Sequence, residues 1–142
     1  MKPKKLNNSI EAPESDYLFI QTSQLISSGN GLYTAINIYK DEIISHFQGE
    51  VLSQMEAKRR VKSGEDKYFI MRTNGSILDS MKVNCFAKYA NDAAAFKNSA
   101  FKNNAKISLD ENSNICLTAL RNIKSGEEIF CSYGKKYWQR HG

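Results

Sequence analysis

Apolar residues in this chain come in short clusters separated by polar, turn-forming stretches. Asp16–Gln21, Leu32–Ala35 and Glu42–Phe47 are rich in β-forming side chains and too short for stable helices, so the pattern predicts three strands. Ser27–Gly31 between the first two reads as a loop, and Tyr39-Lys40-Asp41 as a turn. One helix is signalled. Ser53-Gln54-Met55-Glu56 has the form of a capping box, in which the serine hydroxyl accepts from the Glu56 N–H and Glu56 reaches back. Ala57–Val61 continues with competent helix formers, and Gly64 ends the run. Tyr68–Met71 then predicts a strand, and Asn74-Gly75 a hairpin returning into Ile77–Asp79. A second hairpin is expected from Lys106–Leu109 to Ile115–Ala119 through Asp110–Asn114, followed by a last strand over Glu128–Ser132. Many short strands with little helix predict a mainly β fold of several small sheets. Residues 1–15 are polar and aperiodic, which predicts a flexible tail ahead of one domain over 16–142.

Composition narrows the function classes. A length of 142 residues with 41% hydrophobic content suits one packed domain, and no apolar run approaches the roughly 20 residues a membrane helix needs. The charged start, Met1-Lys2-Pro3-Lys4-Lys5, is not followed by the apolar core of a secretory signal. Cys85, Cys116 and Cys131 are widely spaced, and with His46 and His141 they offer no metal-ligand pattern. No metal is therefore expected, and the thiols point to an intracellular, reducing compartment, cytoplasmic or nuclear. The net charge of +5 leaves nucleic acid as a secondary partner. A tandem repeat, Ala95-Phe96-Lys97-Asn98-Ser99 then Ala100-Phe101-Lys102-Asn103-Asn104, alternates rings and cations that could stack on bases. A surface segment that buries two phenylalanines and solvates two lysines is the preferred reading.

Three segments carry candidate chemistry. Gly29-Asn30-Gly31 permits close backbone approach, but it lacks the third glycine of a dinucleotide fingerprint and opens onto a strand. Lys88-Tyr89-Ala90-Asn91-Asp92 carries an amide that can both donate and accept. Gly126-Glu127-Glu128-Ile129-Phe130-Cys131-Ser132-Tyr133-Gly134 leads a strand into a tyrosine. Each alone is commonplace.

Together, and in this order, they resemble the SET-domain family of protein lysine methyltransferases. Gly29–Tyr33 is similar to the family's opening G-x-G strand, and Gly49-Glu50-Val51-Leu52 to its G-E-x-x strand. Tyr68–Met71 and Ile77–Asp79 resemble its Y-x-x-x and Leu/Ile-Asp segments. Lys88–Asp92 aligns with R-F/Y-x-N-H, with lysine for arginine and Asp92 for histidine. Gly126–Gly134 is similar to the terminal G-E-E-L-x-x-x-Y-G, and Tyr137-Trp138 to the ending of small stand-alone SET proteins.

The resemblance implies small sheets with a knot-like C-terminal threading, S-adenosyl-L-methionine as cofactor, and methylation of a lysine on a protein such as a histone. It implies Tyr133 and Tyr68 as catalytic residues. Gly29, Asn30, Gly31, Tyr68, Asn91, Asp92, Tyr133 and Trp138 would hold the cofactor. Tyr68, Tyr89, Ile107, Phe130, Tyr133 and Tyr137 would line the substrate channel. Two other readings stand beside it: a degenerate SET module that binds peptide or cofactor without turnover, motivated by Asp92, and a small basic nucleic-acid-binding protein. Monomer and homodimer are both open.

Overall fold

The computed structural model describes residues 9–25, 29–72, 75–95 and 100–132. Among the described residues the chain is built mainly of strands, in three small sheets. Its elements are helix α1 (Glu14–Tyr17), strands β1 (Leu18–Thr22), β2 (Asn30–Thr34), β3 (Ile43–His46) and β4 (Glu50–Leu52), helix α2 (Gln54–Lys62), and strands β5 (Phe69–Met71), β6 (Ile77–Asp79), β7 (Ala105–Leu109), β8 (Ile115–Ala119), β9 (Glu128–Ile129) and β10 (Cys131–Ser132). Two 3-10 turns, Ala87–Tyr89 and Ala93–Ala95, precede β7. The sheets are ordered β1-β2-β9, β10-β7-β8-β3 and β4-β6-β5. Among the described residues the named strands pair antiparallel, except β10 with β7. The main core joins them through Leu18, Leu32, Ile44, Ile70, Leu78, Leu117 and Ile129.

Local chemistry accounts for most elements. Ser53 Oγ accepts the Glu56 N–H at 3.1 Å and starts α2, and Gly64 closes it at φ +74. The reciprocal half of the expected capping box is not made. Instead, Glu56 accepts from Arg59 Nε and Nη2 and from Arg60 Nε, because charge-assisted bonds on the helix face outcompete a lone backbone N–H. The β7–β8 hairpin turns on Asp110, whose Oδ1 accepts the N–H groups of Asn112 and Asn114. Asp41, at φ 72, makes the expected turn before β3. The β5–β6 pairing is the expected hairpin, although residues 73–74 at its tip lie outside the described residues.

Three places differ from the sequence reading. Residues 9–15, expected in the tail, lie against the body: Ser9 bridges Ile43, Ile10 packs on the core, and Glu14 accepts from the Ser45 hydroxyl and the His46 N–H. Asp16 and Tyr17 are helical, not extended, since Tyr17 must place its hydroxyl 2.7 Å from the Ile44 carbonyl. The strand expected over Glu128–Ser132 is broken at Phe130. There the chain leaves the β2 sheet and joins the β7 sheet, because the Asn104 amide takes the Phe130 N–H at 2.8 Å and donates to the Glu128 carbonyl at 2.9 Å. The knot-like threading falls on residues beyond Ser132, outside the described residues.

Candidate active site

Asn91 joins two distant segments. Its Nδ2 donates to the Asn30 carbonyl at 3.0 Å, across 61 positions of sequence. Its carbonyl accepts the Cys131 N–H at 2.9 Å, and its backbone bridges Phe130 in parallel. The Gly29–Gly31 segment, the Asn91 segment and the strand that leads to Tyr133 therefore converge. Small buried residues make this approach feasible: Ala87 and Ala90 leave the 3-10 turn close to the core formed by Leu32 and Ile44. Gly29 takes φ +67 at the entrance to β2, a left-handed conformation suited to glycine.

Gly31 has a different reason to be glycine. A Cβ there would stand 2.9 Å from Glu128 Cδ, closer still to its Oε2, and 3.2 Å from the Ser23 Cα. Glu128 is only 2% exposed. Its Oε2 accepts from Ser23 Oγ at 2.6 Å, and its Oε1 from the Gln24 N–H at 2.8 Å. The Tyr33 hydroxyl lies 2.7 Å from the Thr22 carbonyl and 3.2 Å from Glu128 Oε1, with one proton to share. Burial, then the Glu128 charge, holds the Tyr33 phenol above its ordinary pKa, so it remains a donor. This buried carboxylate pins the chain on both sides of the Gly29–Gly31 segment. Glu128 is a site residue that local sequence rules do not single out. Its signal was a glutamate alternating with strand positions inside the Gly126–Gly134 motif.

Tyr68 and Tyr89 meet at one cation. Lys88 Nζ sits 5.5 Å from the Tyr68 ring centroid and 5.4 Å from that of Tyr89. It donates to the carbonyls of Ser80, Met81 and Val83. Tyr89 also lines a cleft of about 500 Å³ with Glu14, Ile20, Gln48, Cys85 and Phe86.

The other expected residues are distributed as follows. Asp92 Oδ1 accepts from the Ala94 N–H and from Asn103 Nδ2, both at 2.9 Å, and Asn103 Oδ1 accepts the Ala93 N–H at 2.8 Å. Asp92 thus stabilises the second 3-10 turn and ties it to the end of the tandem repeat. Ile107 is half-buried on β7 against the main core. Phe130 points to the opposite side of its strand from Ile129 and Cys131. It packs with Leu25 and Ala93, and its ring lies 5.5 Å from that of Phe101. Phe101 of the repeat is therefore partly covered, while Phe96 and Lys97 lie outside the described residues. So do Tyr133, Tyr137 and Trp138.

The donor set at the Asn91 junction is neutral and amide-rich. Asn91 is half-buried and its Oδ1 receives no protein donor among the described residues. No described atom stands within 4 Å of a Cβ built at Gly29. An acceptor oxygen beside open backbone fits the ammonium of an amino-acid-derived cofactor, so the residues present are compatible with S-adenosyl-L-methionine. Among the described residues no helix is long and apolar enough to cross a membrane.

The SET domain family matches residues 29–134. The histone-lysine N-methyltransferase mes-4 of Caenorhabditis elegans is 26% identical over 126 residues, covering 80% of this chain and 14% of mes-4. Among solved structures, apo ctPRC2 carrying two mutations in Ezh2 superposes with a TM-score of 0.66 at 27% identity, over 82% of this chain and 15% of that one. The chain thus spans about one seventh of the length of each relative. The family match takes in the Gly29–Gly31 turn, the Asn91 junction and the strand to Tyr133 in their observed order, and the chain belongs to the SET-domain family.

Proposed function

We propose that this protein transfers a methyl group from S-adenosyl-L-methionine to the side-chain amine of a lysine on another protein, a histone being one candidate. The observation that carries the reading is the pair of hydrogen bonds made by Asn91: its side-chain amide donates to the Asn30 carbonyl, and its backbone carbonyl accepts the Cys131 N–H. Family membership and the resemblance to a histone-lysine methyltransferase support it.

S-adenosyl-L-methionine supplies an electrophilic methyl carbon when bound. The chain's own residues must hold it, orient the amine and exclude water. Backbone at Gly29–Gly31 and the Asn91 amide are assigned to holding, with Trp138 covering the site. An unperturbed lysine has a pKa of about 10.4, and only its neutral form is nucleophilic. A channel walled by Tyr68, Tyr89, Ile107, Tyr133 and Tyr137 would disfavour the ammonium by desolvation, while Phe130, which packs with Leu25 and Ala93 away from the core that Ile107 and Tyr89 join, is not assigned to it. The Tyr133 hydroxyl orients the amine lone pair. Asp92, where the family has histidine, is accounted for by the cap it gives the Ala93–Ala95 turn, a structural reason that does not require loss of activity.

The test is incubation with methyl-labelled cofactor and a panel of proteins including histones, with mass spectrometry of the products. Label on a lysine ε-nitrogen is expected. Cofactor binding without transfer to any protein would favour the degenerate module. Binding of neither cofactor nor label, with salt-sensitive binding to nucleic acid, would favour the third reading.

A further inference from the structure

Lys88 stands where the family has arginine, and its surroundings are unusual for a lysine. It is 8% exposed. An ammonium has three N–H donors, and here three carbonyls meet them: Val83 at 3.0 Å, Ser80 at 3.2 Å and Met81 at 3.3 Å. No carboxylate is among these partners. Asp79, the neighbour of Ser80, gives its carboxylate to Arg60 at 2.7 Å and to the Met81 N–H at 3.0 Å. Lys82, in the same loop, acts on Glu50. On the Tyr68 side, Lys67 lies 5.2 Å from the same ring centroid and adds a second positive charge. Among the described residues, the Lys88 charge is thus met by carbonyl dipoles and two aromatic faces, and no carboxylate is among its partners.

We propose that Lys88 is a positioning residue: it holds the rings of Tyr68 and Tyr89 around one fixed cation, and that charge disfavours the protonated form of a substrate amine brought against those rings. Three carbonyls fix the ammonium, so the rings are registered to the 80–83 loop rather than free to rotate. A fixed positive charge lowers the pKa of a neighbouring amine, adding to desolvation. Arginine would preserve the charge but spread it over a plane with a different donor geometry.

The inference rests on the methyl-transfer reading for its kinetic arm only. In the wild-type protein, nuclear Overhauser contacts from the Lys88 ε-methylene to the rings of both Tyr68 and Tyr89 are expected; contact to neither, or to one alone, overturns the shared cation whatever the activity. In Lys88→Met, with cofactor affinity unchanged, kcat is expected to fall about ten-fold, and the acid limb of the pH profile of kcat, which reports the bound amine, to move up by about one unit. Lys88→Arg should recover the wild-type acid limb even if kcat is only partly restored. A folded Lys88→Met protein with wild-type kcat and pH profile overturns the proposal. Should Lys88→Met not fold, Lys88→Arg decides: an unmoved acid limb supports the charge, and a displaced one overturns it. A wild-type protein that transfers no methyl group refutes the proposed function instead, and the ring contacts then decide on Lys88 alone.

Discussion

The carboxylate of Glu128 occupies the space in which Gly31 has no side chain. The two residues lie on paired strands, β2 and β9, and the glutamate is held there by the Ser23 hydroxyl and the Gln24 N–H. A glycine that would be read as making room for a ligand thus makes room for a buried anion of the chain itself. The anion in turn fixes the segment that precedes the Gly29–Gly31 turn.

Gly31→Ala is expected to destabilise the fold by about 1–3 kcal/mol, the range for forcing atoms into a filled site. Urea unfolding measures it. Glu128→Ala in the same background should recover part of that loss, because it removes the clashing group. Strict additivity of the two substitutions would show that the contact does not limit Gly31.

Asn91→Ala is expected to weaken S-adenosyl-L-methionine binding about ten-fold, the scale of one good hydrogen bond. Titration calorimetry reads the affinity. Unchanged affinity in a folded variant would remove the Asn91 amide from the cofactor site.

Tyr133→Phe is expected to fold and to bind cofactor as the wild type does, while kcat falls about 100-fold, as when a single transition-state donor is lost. Single-turnover kinetics with saturating cofactor separates the two. Wild-type turnover by this variant would take the hydroxyl out of the mechanism.

Acid should weaken the α2 region first. Arg59, then Arg60, pulls the Glu56 carboxyl from an ordinary 4.5 down to about 2. Arg60 likewise depresses Glu50, and the Asn114 N–H depresses Asp110. A carboxyl with a lowered folded-state pKa stabilises above its unfolded value. That stabilisation is lost as pH falls through the folded value. Unfolding free energy should therefore decline from about pH 4.5 towards pH 2, and Glu56→Gln should make the decline shallower. Identical pH dependence in wild type and variant would contradict this.

Much of the molecule was readable in the residues. Strand positions, the Ser53 cap, the Asp110 turn and the order of the three chemical segments follow from local rules: β-forming runs, short polar side chains that bond nearby N–H groups, and glycines at left-handed positions. The family resemblance came from the same source, since motif order survives at identities near 26%.

Sequence alone determined which short segments are strands, where the helix starts, and that Gly29–Gly31, Asn91 and the Gly126–Gly134 strand belong to one system. Only the tertiary structure decided how they meet. It turned Asp16 and Tyr17 into a helix, broke the last strand at Phe130, filled the Gly31 gap with Glu128, and set Lys88 between two tyrosine rings. Local propensity reaches only a few residues along the chain. These features depend on side chains up to 105 positions apart that satisfy one another's buried polar groups once water is excluded.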